Sequence, residues 1–113
     1  MNCIFCKIAE KSIFKEIVFE NEGFMAFNDI HPKAPQHVLI IPKAHIASVK
    51  ELDEEGEKMA GRMIGIARRI AEKVGMAGYK LIFNVGPEAG QTVEHLHLHC
   101  IGGWESPPAK VEV

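Results

Sequence analysis

The sequence has no apolar run long enough to form a membrane-spanning helix. Its longest apolar stretches, such as Val38–Ile41, are far shorter than the roughly 20 residues needed to cross a bilayer. No basic segment followed by an apolar one opens the chain, so no signal peptide is apparent and a cytoplasmic location is expected. Internal repeats, low-complexity tracts and linkers are also missing. Residues 1–113 are therefore expected to form a single domain.

A strong excess of one charge is lacking as well. Lysine and arginine total 13 and aspartate and glutamate total 15, which gives a formal net charge of −2. This balance argues against nucleic acid or an anionic membrane as a partner, because both attract strongly basic surfaces. A phosphate-containing ligand would have to be bound at a local site.

Periodic apolar residues and turn signals predict an α+β fold. The apolar spacing over residues 4–13 indicates a short helix, and Asp53 and Gly75 are suited to cap a long helix over residues 54–74. Five strands of a mainly antiparallel sheet are predicted, with the third strand at its centre. They cover residues 16–20, 24–27, 37–41, 79–85 and 92–101.

The most distinctive stretch is His95–His99, in which three of the six histidines alternate with leucine. This alternation is typical of a half-buried strand that carries the three rings on one face. A rise of about 3.3 Å per residue separates neighbouring rings by about 6–7 Å and the outer two by about 13 Å. Unless the strand bends sharply, the three rings cannot share one ion, so we expect them to have different roles. An exposed sheet face with no function is the alternative.

Cysteine is scarce, with three residues in a chain that shows no secretion signal, so metal binding or free thiols are favoured over disulfides. Cys3 and Cys6 form a C-x-x-C pair, which is half of a tetrahedral zinc site. His45 and His95 would complete a structural Cys2His2 site. A redox pair or two free thiols are the alternatives. Cys100 alternates onto the leucine face and is expected to be a buried thiol.

The remaining histidines suit chemistry at phosphorus. A neutral imidazole can attack phosphorus and form a covalent intermediate if its other nitrogen is held by a hydrogen-bond acceptor. His97 has a ring on each side and is the candidate nucleophile, while His99 and His37 could bind the phosphate. The glycine-rich loop over residues 84–92 allows close approach of an anion, although most such loops are only turns. Its neutral donors are Asn84, Gln91 and Thr92.

These motifs together resemble the histidine triad (HIT) superfamily, and the Gly102-Gly103 ending resembles its Hint branch. The similarity covers nearly the whole chain through Cys3–Ile8, Phe27–Ile30, residues 34–45, residues 84–93 and His95–His99. The transferase branch of this superfamily has glutamine at the third triad position, so His99 indicates a hydrolase. The resemblance implies a homodimer whose sheets join into one ten-stranded sheet. It also implies a purine nucleoside monophosphate site in each subunit.

The resemblance further implies roles for individual residues. His97 matches the nucleophile, His99 the contact to phosphate or leaving group, and His37 their support, while Thr92 replaces a serine of many relatives as proton donor. Asp29 falls where the ribose hydroxyls are bound, and Asn84, Gly90 and Gln91 on the phosphate side. The apolar base pocket would comprise Ile4, Phe5, Ile8, Phe27, Ile30 and Leu39. Structural zinc would be held by Cys3, Cys6, His45 and His95.

The activity implied is hydrolysis of purine nucleoside 5′-phosphoramidates, or of related nucleoside monophosphate conjugates, through a nucleotidyl-histidine intermediate. Asymmetric cleavage of dinucleoside polyphosphates is a second possibility. A third is a zinc-stabilised nucleotide-binding or adaptor protein whose catalysis is incidental.

Overall fold

The structure, a computed structural model that describes residues 3–13 and 15–108, confirms the α+β class. Its longer elements are α1 (Ile4–Ala9), β1 (Ile17–Glu20), β2 (Phe24–Asn28), β3 (Gln36–Pro42), α2 (Glu54–Val74), β4 (Tyr79–Ile82) and β5 (Leu98–Gly102). Short 3-10 turns occupy Val49–Glu51 and Pro87–Ala89. Within the described ranges, no helix combines the length and the apolar character needed to cross a membrane.

The five strands form one antiparallel sheet in the order β1-β2-β3-β5-β4, so β3 is central as predicted. One row of paired residues crosses the whole sheet. It runs from Ile17 on β1 through Phe27, Leu39 and His99 to Ile82 on β4. Directly paired residues point to the same face of an antiparallel sheet. His99 therefore shares a face with the apolar side chains of this row.

The two helices lie on opposite faces of the sheet. Helix α2 packs on the face whose buried residues are Phe24, Ala26, Val38, Ile40, Leu98 and Cys100. Helix α1 packs on the other face through Phe5 and Ile8, against Met25, Phe27, Leu39 and Ile41. Cys100 is buried as predicted, here on the α2 face, and burial raises the pKa of its thiol to about 11. The histidine face is thus the α1 face.

Helix α2 begins and ends where the sequence predicts. The Asp53 carboxylate accepts a hydrogen bond from the Gly56 N–H at 2.8 Å, and Gly75 ends the helix with a left-handed φ of 79°. Its buried stripe consists of Gly56, Met63, Ile66, Ala67, Ile70 and Ala71. The stripe fixes α2 against the face of the sheet that carries no histidine.

The last strand is shorter than predicted, because residues 92–97 precede the ladder instead of joining it. Pro42, at the end of β3, has no N–H to donate, and its carbonyl oxygen instead accepts a bond from His95 Nε2 at 2.8 Å. The Leu96 N–H donates to the Ile46 carbonyl oxygen at 2.6 Å. Side-chain and loop contacts thus replace the ladder here. The fourth strand also ends early, at Ile82.

Candidate active site

Three buried histidines meet on the α1 face. The ring centroids of His97 and His99 are 5.0 Å apart, closer than the spacing of a regular strand, since His97 lies just before β5. His37 Nε2, on β3, is 2.9 Å from His99 Nδ1. The structure therefore brings His37, His97 and His99 together as predicted.

The backbone fixes the proton position on His97. Its Nδ1 lies 2.7 Å from the carbonyl oxygen of His95, which can only accept a hydrogen bond. The proton must then be on Nδ1, which leaves a free lone pair on Nε2. Burial lowers the pKa of His97 and keeps the ring neutral. The neutral ring thus has the free lone pair that a nucleophile requires.

A second chain of hydrogen bonds orients His37 and His99. The Lys33 N–H donates to His37 Nδ1 at 3.0 Å, so neutral His37 carries its proton on Nε2. That proton is donated to His99 Nδ1, which leaves His99 with an N–H at Nε2. Burial, followed by the neighbouring His97 and His37, lowers the pKa of His99 to about 4. At neutral pH the cluster offers one bare nitrogen and one N–H donor.

Asp29 lies beside this cluster. Its Oδ1 accepts the His31 N–H at 2.8 Å, and its Oδ2 is 3.5 Å from His37 Nε2. Asp29, His37 and His99 are close enough together to ligate an ion. Metal binding at His37 Nε2 would move the His37 proton to Nδ1, where it would face the Lys33 N–H. The hydrogen bonds therefore disfavour a metal at these three residues.

A separate cluster of Cys3, Cys6, His45 and His95 has the geometry of a metal centre. The two Nδ1 atoms of His45 and His95 are 3.2 Å apart, and three sulfur–nitrogen distances are 3.2, 3.4 and 3.5 Å. A zinc tetrahedron with bonds of about 2.0–2.3 Å has ligand separations of about 3.3–3.8 Å. The four predicted ligands therefore fit zinc. His95 Nε2 donates to the Pro42 carbonyl, which leaves Nδ1 free to ligate.

A cavity of about 530 Å³ opens beside the three buried histidines. All but one of the predicted catalytic and nucleotide-binding residues line it. They are Ile4, Phe5, Ile8, Phe27, Asp29, Ile30, His37, Leu39, Asn84, Gly90, Thr92, His97 and His99. Ile30 is 75% exposed and therefore stands at the rim.

Residues 2–111 match the family model described as scavenger mRNA decapping enzyme C-term binding. The protein of Escherichia coli K12 named purine nucleoside phosphoramidase is 45% identical over 102 residues, which cover 88% of this chain and 86% of that relative. This chain is a hydrolase of the histidine triad family.

Solved structures of other histidine triad proteins superpose on the whole fold. A HIT family hydrolase from Clostridium thermocellum is 48% identical with a TM-score of 0.89, and the match covers 95% of both chains. A second HIT family hydrolase, from Legionella pneumophila, is 42% identical with a TM-score of 0.89, covering 92% of this chain and 95% of that one. A histidine triad protein from Clostridium difficile is 36% identical, with a TM-score of 0.90 over 97% of both chains.

Gln91 is the predicted site residue that does not line the cavity of this histidine triad protein. Its Oε1 accepts the Gly86 N–H at 3.0 Å, and its Nε2 donates to the carbonyl oxygens of Ala47 and Val93 at 2.7 and 3.1 Å. The side chain is 8% exposed. The amide oxygen and nitrogen are therefore both used in bonds that hold the glycine-rich loop in place. The expectation was instead that this amide would face a phosphate.

Five cavity residues were not predicted as ligand contacts: Lys15, Asn28, His31, Lys33 and Val93. His31 and Lys33 lie in the proline-rich loop after β2, a loop of the kind in which binding residues collect. Lys15 carries no sequence signal, since its place depends on how β1 pairs across the sheet.

Phe5 connects the cysteine and histidine cluster to the triad site. It stands between the two cysteines in sequence and packs edge-on against His95, His97 and Phe27, with centroid distances of 5.9, 5.2 and 5.5 Å. Cys3 caps α1 and accepts the Cys6 N–H at 3.3 Å. An ion at this cluster would therefore fix the helix that forms a wall of the cavity.

Proposed function

We propose that this hydrolase cleaves the P–N bond of purine nucleoside 5′-phosphoramidates with His97 as its nucleophile. The observation that carries the proposal is the hydrogen bond from His97 Nδ1 to the His95 carbonyl, which leaves Nε2 unprotonated in a ring that lines the cavity. The name of the Escherichia coli relative, purine nucleoside phosphoramidase, supports a P–N bond as the target.

In the first half of the reaction, His97 Nε2 forms a bond to the α-phosphorus as the P–N bond breaks. The electron pair of that bond goes to the amine nitrogen, which also takes up a proton. We assign the delivery of this proton to the Thr92 hydroxyl, which lines the cavity and can accept a replacement proton from water. The positive charge on His97 is stabilised by the His95 carbonyl, which faces Nδ1–H.

In the second half, water attacks the same phosphorus and the P–Nε2 bond breaks. Its electron pair returns to His97, which again becomes a neutral imidazole, and the proton lost by water passes to solvent. The nucleoside monophosphate is released. We assign the donation of a hydrogen bond to a phosphate oxygen in both halves to His99 Nε2–H, because the Nδ1 of this ring already accepts from His37.

The cavity walls support an orientation for the nucleotide. The phosphate would lie by His97 and His99, near the backbone of Gly90, and the ribose hydroxyls by Asp29. The purine would then lie along the apolar wall formed by Ile4, Phe5, Ile8, Phe27 and Leu39.

The test compares the wild type with His97→Gly on adenosine 5′-phosphoramidate, with and without added imidazole. We expect the variant to lose turnover and added imidazole to restore part of it, since free imidazole can replace the missing ring in a folded site. Unchanged turnover in the variant would refute the assignment. A diadenosine polyphosphate is assayed beside the phosphoramidate, and the two turnover rates show which class of substrate the enzyme prefers.

We also propose that zinc is bound by Cys3, Cys6, His45 and His95. With four protein ligands the ion has no open position for substrate, so it would stabilise the fold without entering the reaction. Burial and the neighbouring Cys3 raise the pKa of Cys6 to about 11, so binding of the ion would release a proton. Protein purified without added metal should contain about one equivalent of zinc, and less than about a tenth would refute this site.

A homodimer through β4 is the third part of the proposal. Strand β4 is an edge of the sheet, and Leu81 within it is 37% exposed. An antiparallel contact with the same strand of a second copy would cover this edge and give ten strands. Light scattering should report twice the chain mass of 12.5 kDa. We expect Leu81→Lys to shift the protein to monomer, and a monomeric wild type would contradict the proposal.

A further inference from the structure

The nucleotide cavity runs across the strands of the sheet. His99 on β5, Leu39 on β3, Phe27 on β2 and Ile17 on β1 lie in one paired row. Neighbouring strands are about 4.8 Å apart, so about 14 Å separates the two ends of this row. Lys15 precedes Ile17 by two residues and lines the cavity. It therefore lies at the end opposite the triad.

The Lys15 ammonium faces this end without a carboxylate partner. Its Nζ lies 5.4 Å from the ring centroid of Phe27, and no described carboxylate forms an ion pair with it. The ammonium offers three hydrogen-bond donors and no acceptor. The nearby wall formed by Ile4, Phe5, Ile8 and Phe27 has no side-chain polar atom. Lys15 thus places a hydrogen-bond donor at this end of the apolar wall.

Purines differ at the position that would meet this donor. With the phosphate at the triad and the base along the apolar wall, the six-membered ring extends toward Lys15. Guanine and hypoxanthine carry an acceptor oxygen at position 6 next to the acceptor N7, whereas adenine carries an amino group there. An ammonium can donate to O6 and N7 together, but it opposes the amino group of adenine.

We infer that Lys15 makes this site prefer 6-oxopurine nucleotides, those of guanosine and inosine, over adenosine nucleotides. The inference rests on the proposed function, because it places a purine nucleotide in this cavity.

Lys33 provides a matched control because it lies at the other end of the cavity. Its backbone N–H is bonded to His37, and its charge contributes to the lowered pKa of that ring. Its ammonium would meet the ribose and phosphate, which all purine nucleotides share. Removing the Lys33 charge should therefore lower the affinity for guanosine and adenosine nucleotides by the same factor.

The experiment measures calorimetric Kd values for GMP, IMP and AMP with the wild type, Lys15→Met, Lys15→Glu and Lys33→Met. We expect the wild type to bind GMP and IMP more tightly than AMP. The ratio of AMP to GMP Kd should fall by about fivefold or more in Lys15→Met, and stay unchanged in Lys33→Met. Lys15→Glu should shift the preference toward AMP, since a carboxylate accepts from the amino group.

Equal wild-type affinities for GMP and AMP would overturn the inference. A Lys15→Met variant that loses affinity for GMP and AMP by the same factor would also overturn it. IMP binding like AMP would also overturn it, because the preference would then come from the 2-amino group of guanine. Turnover of the guanosine and adenosine phosphoramidates is measured in parallel. A preference for GMP without any P–N cleavage would refute the proposed function and leave the assignment of Lys15 standing.

Discussion

Mild acid should destabilise this protein through its buried histidines, and His99 gives a separable part of that effect. Burial and the neighbouring His97 and His37 lower the pKa of His99 from 6.5 to about 4, with Asp29 opposing the shift. Lys33, across the cluster, adds positive charge beside His37. The unfolded chain therefore binds this proton near pH 6.5, while the folded protein binds it only near pH 4. The unfolded state carries more protons within this window, so stability falls as the pH is lowered through it.

The size of the effect follows from the two pKa values. Each pH unit within the window costs about 1.4 kcal/mol of unfolding free energy. A shift from 6.5 to about 4 removes about 2 kcal/mol by pH 5 and about 3 kcal/mol by pH 4. The loss then levels off, because both states are protonated below the folded pKa. For a domain with a stability of about 5–15 kcal/mol, this change is easily measured.

The assay is urea unfolding of the wild type and His99→Gln at pH 7.5 and pH 5, with equal zinc content. Glutamine does not titrate and can still accept the His37 Nε2–H. The contributions of titratable groups that do not contact His99, the metal ligands among them, are shared by both proteins and cancel in the difference. We expect the wild type to lose about 2 kcal/mol more than the variant between the two pH values. Equal losses would show that His99 is not held neutral by its surroundings.

Three further predictions concern the metal cluster, the glycines and the helix cap. Chelation with 1,10-phenanthroline should lower Tm by about 10 °C and slow turnover by loosening α1, and added zinc should restore both; insensitivity to the chelator would contradict a structural ion. Gly102→Ala should cost about 1–3 kcal/mol in urea unfolding, because its Cβ would lie 2.6 Å from the Gly78 carbonyl oxygen. Gly61→Ala, in an open position of α2, should instead stabilise by about 0.5–1 kcal/mol, and equal effects at the two glycines would refute the packing. Asp53→Ala should cost about 0.5–2 kcal/mol by removing the cap of α2, measured by the same unfolding curves, whereas Asp53→Asn should retain most of the stability.

Local chemistry made much of the fold predictable. Helix α2 carries its own start and stop signals in Asp53 and Gly75, so its bounds could be predicted to the residue. The last strand could not be bounded in this way. Its alternation continues through His95 and His97, yet the ladder stops where Pro42 lacks a donor and the His95 side chain takes the Pro42 carbonyl. Alternation indicates which face a side chain takes, but not whether the backbone is paired.

The candidate site, like the fold, could be predicted from the sequence only in part. The four potential metal ligands could be named from spacing and resemblance, since few residue types can fill that role. The proton positions on His37 and His97 depend on the Lys33 N–H and the His95 carbonyl, and backbone groups carry no sequence signature. Gln91 has the chemistry of a ligand donor, but its three bonds to the loop backbone become visible only in three dimensions.

The wall that α1 builds over the histidines has a consequence for biosynthesis. Cys3 and His95 are 92 residues apart in sequence, and Cys6 and His45 are separated by 39. Contacts between such distant segments form late, because the intervening chain must first be brought together. The apolar surface on β2 and β3 that receives α1 is made early. A chain emerging from the ribosome nevertheless lacks the contact between Cys3 and His95 until nearly the last strand has been made. Incomplete chains would lack a closed cavity, and the activity would arise only with the finished fold.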